Sequence, residues 1–347
     1  MSKRGYRILP LEKYQDILRP DMDHVHMGVM KVDHEKCNKC GLCMRNCPFQ
    51  AWELDEAGFP ALKEEYECFS CYNCKVACPN DAIIIVDPYH VDEGFWKTDP
   101  YPLPAKMPLE PKDENGNATE WNAVEKIIYN RRSVRNFKDK PVPEALIQRV
   151  LEAGRFAPSA GNCQPWRFLV ITDKALIKEI EKGVTGILEF FYAAYKSDKM
   201  VQNLVPLIEG PPFVPGSVDP RVILGGVGSV VKNKDKFGVA LGAPVLILLL
   251  GDERAITGPA LNIGICGQNM NLVANSLGIP ACWNGFIANI LNTLPPLKKK
   301  LGIKAPWTIV SSFCLGYPEF KQEGIVPREY RPVTWFREGA DGPELQE

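Results

Sequence analysis

Apolar residues change their spacing along this chain, and each change marks a different kind of structure. In residues 31–88 they come in two short stretches, Phe49–Leu54 and Ala82–Val86, each directly behind a run of cysteines. From Thr119 onward the spacing lengthens. Trp121, Val124, Ile127 and Ile128 recur at helical intervals, and Pro143-Glu144 opens a second helix with Leu146, Ile147, Val150 and Leu151 on one face. Trp166–Thr172 predicts a strand and Ala243–Leu250 a fully buried one. Pro259–Leu277 predicts a largely apolar helix closed by Gly278 and Pro280, and Trp307–Leu315 a further strand. Helices and strands mixed without strict alternation predict an α+β fold.

Between these regions the pattern breaks down. Pro88 to Asn117 carries Pro100, Pro102, Pro104, Pro108 and Pro111 and then Asp113-Glu114-Asn115-Gly116-Asn117, the composition of an extended, semi-rigid connector. Tyr89, Phe95, Trp96 and Tyr101 favour burial, so the connector is expected to lie along a surface. Tyr14, Ile17 and Leu18 suggest a short helix packed on the cysteine-bearing unit. The expected organisation is an extension at 1–30, a cysteine-bearing unit at 31–88, a linker at 89–118, a large domain at 119–335 and a polar tail at 336–347.

Composition narrows the classes. The 347 residues suffice for two domains, and 45% hydrophobic with 24% charged residues is globular usage. A net charge of −1 gives no case for nucleic acid or an anionic membrane as partner. The longest apolar stretch, around Val245 to Leu250, is too short to span a bilayer, and Met1-Ser2-Lys3-Arg4-Gly5 lacks a signal peptide's apolar run. Lys31 to Asp87 holds six basic and ten acidic side chains, which favours steering toward a basic patch on a partner.

Eight of the twelve cysteines form one motif written twice: Cys37, Cys40, Cys43 and Cys47-Pro48, then Cys68, Cys71, Cys74 and Cys78-Pro79. This is the iron–sulfur spacing of bacterial two-cluster ferredoxins, in which three thiolates of each run hold one cluster and the fourth reaches the other. By that rule Cys37, Cys40, Cys43 and Cys78 hold one [4Fe-4S] cluster, and Cys68, Cys71, Cys74 and Cys47 the second. Zinc would need two cysteine pairs and not four-cysteine runs, and disulfides suit small secreted chains. Oxygen-sensitive clusters and free thiols predict a reducing cytoplasm.

Two features of the large domain carry chemistry. Arg131-Arg132-Ser133-Val134-Arg135 gathers three guanidinium groups and a hydroxyl where a helix ends, the donor set for a phosphate; alone, such a cluster is more often a solvated face. Ala157-Pro158-Ser159-Ala160-Gly161-Asn162-Cys163-Gln164-Pro165-Trp166 is a loop of small residues that lets backbone approach a flat ligand, or simply a turn. Together they resemble the nitroreductase family of flavoproteins, over about Thr119 to Pro332.

The resemblance implies a nitroreductase-like mixed sheet flanked by helices, FMN, and a homodimer whose flavins lie at the subunit interface. It implies that Arg131, Arg132, Ser133 and Arg135 grip the flavin phosphate, and that Pro158, Ser159, Asn162 and Gln164 line the ring and ribityl chain. Asn284 and Gly285 fall beside the flavin's reactive edge, at a place where an acidic residue is frequent in the family. Arg328 or Arg331 supplies the last phosphate contact.

All four histidines precede this domain, so no histidine base or triad is available there. A flavin needs none, since its N5 carries the hydride. Cys163, Cys266, Cys282 and Cys314 are packing residues by default, with Cys163 and Cys282 as candidate proton donors or gates. Gly225-Gly226-Val227-Gly228-Ser229 has Val231 where a dinucleotide fingerprint needs its third glycine, and reads as a loop or helix entry. Gly183 to Lys236 looks like a substrate-pocket cover.

The leading expectation is an oxidoreductase passing electrons through two clusters to FMN, fed by a ferredoxin, and reducing a small nitro compound, quinone or activated alkene. An NAD(P)H-fed flavin reductase using the clusters as an outlet is the alternative enzyme. A non-catalytic carrier or redox sensor is the alternative from another class.

Overall fold

The structure is a computed structural model that describes residues 16–64, 66–98, 108–204, 219–234, 238–321, 324–329, 331–339 and 342–346. The cysteine-bearing unit is built twice over. β1 (Val25–His26), β2 (Val29–Val32), the Leu42–Asn46 helix and β3 (Trp52–Leu54) are followed by β4 (Pro60–Leu62), the Asn73–Ala77 helix, β5 (Ile83–Asp87) and β6 (His90–Val91). β2 pairs with β5 and β3 with β4, both antiparallel. Each ribbon therefore takes one strand from each half of the repeat.

The offset that carries Cys37 to Cys68 also carries Lys39 to Ser70, Gly41 to Tyr72 and Gln50 to Asp81. All six of these residues have positive φ, between 51° and 70°. A glycine takes that conformation freely, whereas Tyr72 takes it against the cost of its Cβ. The same backbone turn is imposed twice, whatever the side chain. A small core of Met30, Ala51, Trp52, Tyr72, Ile83 and Ile85 backs the two halves.

The connector is tied to the preceding segment by Trp96, whose Nε1–H donates to the Ile17 carbonyl at 2.9 Å. Phe95 stays exposed, against expectation; its backbone N–H is the group held, by Asp16 at 2.6 Å. Tyr14, Tyr101 and the prolines at 100, 102 and 104 lie outside the described residues.

The large domain centres on β7 (Trp166–Ile171), β8 (Val245–Asp252), β9 (Ala281–Trp283) and β10 (Trp307–Leu315), in the order β7-β8-β10-β9. Every pairing in this sheet is antiparallel among the described residues, where a mixed sheet was expected. An antiparallel neighbour needs its connection to start and finish at the same end of the sheet. The helical segments at Lys174–Lys196 and Gly228–Lys232, packed on each other between β7 and β8, provide such a return.

β8 explains the unbroken apolar run. Leu246, Leu248 and Leu250 face a core with Ile177, Ile180 and Val184 of the Lys174–Lys196 helix. Val245, Ile247 and Leu249 face the opposite core, with Val150 of the Glu144–Arg155 helix and Ile263 and Met270 of the Pro259–Ser276 helix. Both faces of the strand are covered, so both must be apolar. Each such side chain contributes about 2 kcal/mol by leaving water, which makes β8 the anchor of an α+β sandwich.

At the edges the pattern is less complete. The Ala123–Asn130 helix starts on an Asn122–Glu125 capping box but buries no residue, leaving Val124 and Ile128 exposed. The end of the chain, expected to be a polar tail, pairs back: β11 (Val333–Trp335) and β12 (Glu344–Gln346) form an antiparallel ribbon. No described helix is long and apolar enough to cross a membrane.

Candidate functional site

The eight repeat cysteines fall into two groups. Cys47, Cys68, Cys71 and Cys74 line one enclosed chamber with Trp52, Tyr66 and Phe69. Cys43 feels the charges of Cys78, Cys37 and Cys40. In each group one thiol comes from the other half of the repeat. Among the described residues no three His, Cys, Asp or Glu side chains stand close enough for a single ion; the thiols of Cys47, Cys68, Cys71 and Cys74 line a space instead of meeting at a point.

Burial pushes the thiols of Cys43 and Cys47 up to about 11 and that of Cys68 to about 12, with Cys74 well above its ordinary value. Ligation of a metal centre would deprotonate them outright. The N–H groups of Ala51 and Ala82 donate to the sulfurs of Cys47 and Cys78 at 3.4 and 3.2 Å, bonds that tune the potential of a thiolate-held cluster. Cys40 is exposed, so the group of Cys37, Cys40, Cys43 and Cys78 opens toward solvent, while Cys71 of the other group lines a cavity walled by the large domain.

The arginine run sorts itself by backbone geometry. The helix stops at Asn130 and Arg131 turns extended, at φ −70° and ψ 139°. Side chains of extended backbone alternate, so Arg131, Ser133 and Arg135 line one cavity while Val134 turns into the core. Arg132 is not brought to this cavity. It is buried, and its Nε and Nη2 donate to the Asn130 carbonyl at 3.2 and 2.9 Å. Here the Arg132 guanidinium caps the helix end.

Arg328 and Arg221 line the same cavity, with Glu329, Asn73 and Tyr89. Burial lowers the pKa of the Arg131 guanidinium, and the charges of Arg328 and Arg135 push the same way. The Nε of Arg221 and the Nδ2 of Asn73 are buried without a hydrogen-bond partner. Crowded guanidinium groups and orphaned donors around one space suit an anion with several acceptor oxygens. Arg331 does not line the cavity and bonds Glu329 at 2.5 Å.

A second cavity adjoins the first at Phe69 and Arg135. Its walls include Cys282, Trp283, Asn284, Gly285, Phe286 and Phe49. Each cavity measures about 260 Å³, and the two together reach the range that holds a cofactor-sized ligand. Asn284 borders the second, but its side chain is committed elsewhere. Its Nδ2 donates to the Val239 carbonyl at 2.6 Å, and its Oδ1 accepts from the Ile287 N–H at 3.2 Å, capping the Gly285–Leu291 helix. The Cys282 thiol is raised by burial, against the pull of Arg135 and a hydrogen bond with Ser133.

The predicted loop is not brought to these cavities. None of Pro158, Ser159, Asn162, Cys163 and Gln164 lines either one, and Asn162, Cys163 and Gln164 are exposed. The loop holds its own shape, with Asn162 and Gln164 at positive φ and the Gln164 N–H donating to Ser159 Oγ at 3.0 Å. Sequence reasoning missed Phe69, Asn73, Tyr89 and Arg221. Only the second cysteine run's spacing hinted at the first two; nothing local marked the others. Part of the expected pocket cover, 205–218 and 235–236, lies outside the described residues. The described part seats the cysteine-bearing unit: Glu67 meets Lys196 and Lys232 at 3.0 and 3.2 Å, and Tyr66 meets Ser229 at 3.2 Å.

Comparison with known proteins agrees with this division. Residues 36–83 match the 4Fe-4S dicluster domain and residues 128–317 the Nitroreductase family. A nitrobenzene nitroreductase of Ectopseudomonas oleovorans is 25% identical over 229 residues, covering 61% of this chain and 96% of that one. An Archaeoglobus fulgidus protein carrying the name NADH dehydrogenase/NAD(P)H nitroreductase is 42% identical over 60 residues, 17% of this chain; the chain spans only 34% of that relative. A nitroreductase structure with bound FMN from Desulfitobacterium hafniense DCB-2 shares 24% identity over 60% of this chain and 96% of that one, with a TM-score of 0.45. The family match covers more than half of the sequence, and the chain belongs to the nitroreductase family, with a 4Fe-4S dicluster domain ahead of its catalytic fold.

Proposed function

We propose that the protein is an FMN-dependent oxidoreductase in which electrons enter at the exposed cysteine group, pass the buried one and reach a flavin that reduces a small organic acceptor. The observation that carries this reading is the adjacency of three spaces: the sulfur chamber, the arginine cavity and the aromatic cavity meet at Phe69. When bound, FMN supplies hydride chemistry at N5 and exchanges electrons singly or in pairs, while [4Fe-4S] clusters supply single electrons.

The chain's own residues divide the work. Arg131, Ser133 and Arg328 would hold the phosphate, and Arg135 and Arg221 add two further charges to the same wall. Cys37, Cys40, Cys43 and Cys78 would hold the entry cluster; Cys47, Cys68, Cys71 and Cys74 the inner one. Trp283 to Phe286 and Phe49 wall the aromatic cavity. A fused electron donor works at high effective concentration, without a diffusional encounter. The proposal includes a homodimer, in which the exposed Ser159–Gln164 loop reaches the partner's cavity; the uncovered Ala123–Asn130 helix supports a further contact surface.

Anaerobic stopped-flow absorbance tests the reading. Flavin bleaching by reduced ferredoxin but not by NADH or NADPH, followed by reoxidation with a nitroaromatic, quinone or enoate, is the expected result. Fast direct bleaching by a nicotinamide would favour the alternative that some relatives' names suggest, with the clusters as an outlet. A reduced protein that no acceptor reoxidises would be a carrier.

A further inference from the structure

We infer that Phe69 is the contact through which electrons cross from the inner sulfur chamber to the flavin, and that Gly225 and Gly226 are positioning residues that set its closeness. The inference rests on the functional reading above and names the residues that serve its internal step. Among the described residues Phe69 alone lines all three spaces. It stands between Cys68 and Cys71 in sequence, and its ring packs against Phe49 with centroids 5.3 Å apart and planes inclined by 56°.

On its other side Phe69 meets a π-helical turn, Val222–Val227. Such turns are rare and recur at functional sites. A Cβ on Gly225 would stand 3.1 Å from Cα and Cβ of Phe69 and 3.2 Å from the Glu67 carbonyl oxygen. One on Gly226 would stand 3.5 Å from the Phe69 ring and 2.8 Å from Phe286 Cζ. At Gly225, then, backbone meets backbone, and a side chain would push the cysteine loop away. The turn is fixed in that place because the Ser229 hydroxyl bonds the Gly225 carbonyl and also meets the Tyr66 hydroxyl at 3.2 Å. The glycine run thus serves docking, where its sequence suggested a loop or helix entry.

With a cluster held by Cys47, Cys68, Cys71 and Cys74 and FMN held by Arg131, Ser133 and Arg328, each crossing would oxidise the cluster by one electron and reduce the flavin by one. Two crossings with two protons from solvent would complete a two-electron reduction, and a one-electron donor of the ferredoxin class would restore the clusters.

Laser-flash photoreduction of the clusters in the anaerobic holoenzyme, followed at the flavin absorbance, measures this step apart from turnover. Electron transfer slows exponentially as the gap between two redox centres widens or its packing is lost. We therefore expect Gly225→Val and Phe69→Leu to slow the transfer several-fold, with iron and flavin contents unchanged. Gly225→Ala should fall between, and Phe69→Tyr should match the wild type. Gly186→Ala, at a position with open space around its Cβ, should also match. If Gly225→Val loses its clusters, the Gly225→Ala and Phe69 variants decide. Wild-type transfer rates in both Gly225→Ala and Phe69→Leu would overturn the inference and leave the functional reading intact. Absence of any cluster-to-flavin transfer in the wild type would overturn that reading itself.

Discussion

Two arginines near the end of the chain answer to the same sequence description, and their surroundings separate them. Arg328 lines the arginine cavity and its charge acts on Arg131. Arg331 is largely exposed and engaged with Glu329. A charge-assisted hydrogen bond to phosphate is worth about 1.5–3 kcal/mol, so Arg328→Ala should weaken FMN retention by about tenfold to a hundredfold. Arg331→Ala should leave it unchanged; flavin release on ultrafiltration checks both, and equal losses would reverse the assignment. The residue types at the site were legible in the sequence, but their orientation was not. Arg132 looks like its neighbours and faces the other way because extended backbone alternates. Asn284 sits where the family often carries an acid, yet its amide must donate to the Val239 carbonyl, which a carboxylate cannot do. Phe69 and Arg221 became visible only when distant segments were brought together.

Elements were more legible than residues. β10 spans Trp307–Leu315 as its apolar run predicts, and β8 follows from a stretch apolar on both faces. The π-helical turn was not legible, since only the approach of the cysteine loop gives it a purpose. The short β1–β6 ribbon was also hidden, being two residues on each side. Its charges give it a pH dependence. His24 bonds Asp92 at 2.8 Å through Nδ1 and meets Glu93 at 3.5 Å, and His26 meets Asp92 at 3.0 Å and stacks on His90. The hydrogen bond that His24 donates to Asp92 is the main cause that raises its pKa above the ordinary 6.5, with Glu93 and Asp21 adding to it. A raised folded value means the protonated form is favoured by folding. That stabilisation is fully present below the ordinary histidine value and lost as pH rises through the raised one. The Asp92 carboxyl, held down chiefly by His26 and then His24, has the opposite sign: its contribution is lost as pH falls through its lowered value. The ribbon should therefore be most protected in mildly acidic solution. Amide protection factors across Val25–His26 and His90–Val91 should decline toward alkaline pH, and Asp92→Asn should flatten the profile.

At the scale of the molecule, the two units differ in what holds them together. The large domain has a core on each face of its sheet. The cysteine-bearing unit has three short ribbons, two five-residue helices and a core of a few side chains, too little for a unit of this size to be secure without a metal or covalent tie. Clusters held by the crossed thiols would supply that tie, because Cys47 and Cys78 each lie with the other half's cysteines. Removing iron anaerobically should therefore unfold residues 29–87 while the large domain persists, since metal-binding energy is folding energy where no site survives unfolding. The seat of the unit should loosen with it. Glu67, Asn73 and Tyr66 touch Lys196 and Lys232, Arg135 and Ser229, and the two exposed lysine pairs contribute at most about 1 kcal/mol each. Hydrogen exchange read by mass spectrometry should show protection lost over 29–87, reduced over 219–232 and unchanged in β8 and β10 after chelation. Equal loss in β8 and β10 would instead mean that the clusters hold the whole chain as one cooperative unit, and that the inner chamber is part of the core of the flavin domain and not a module docked upon it.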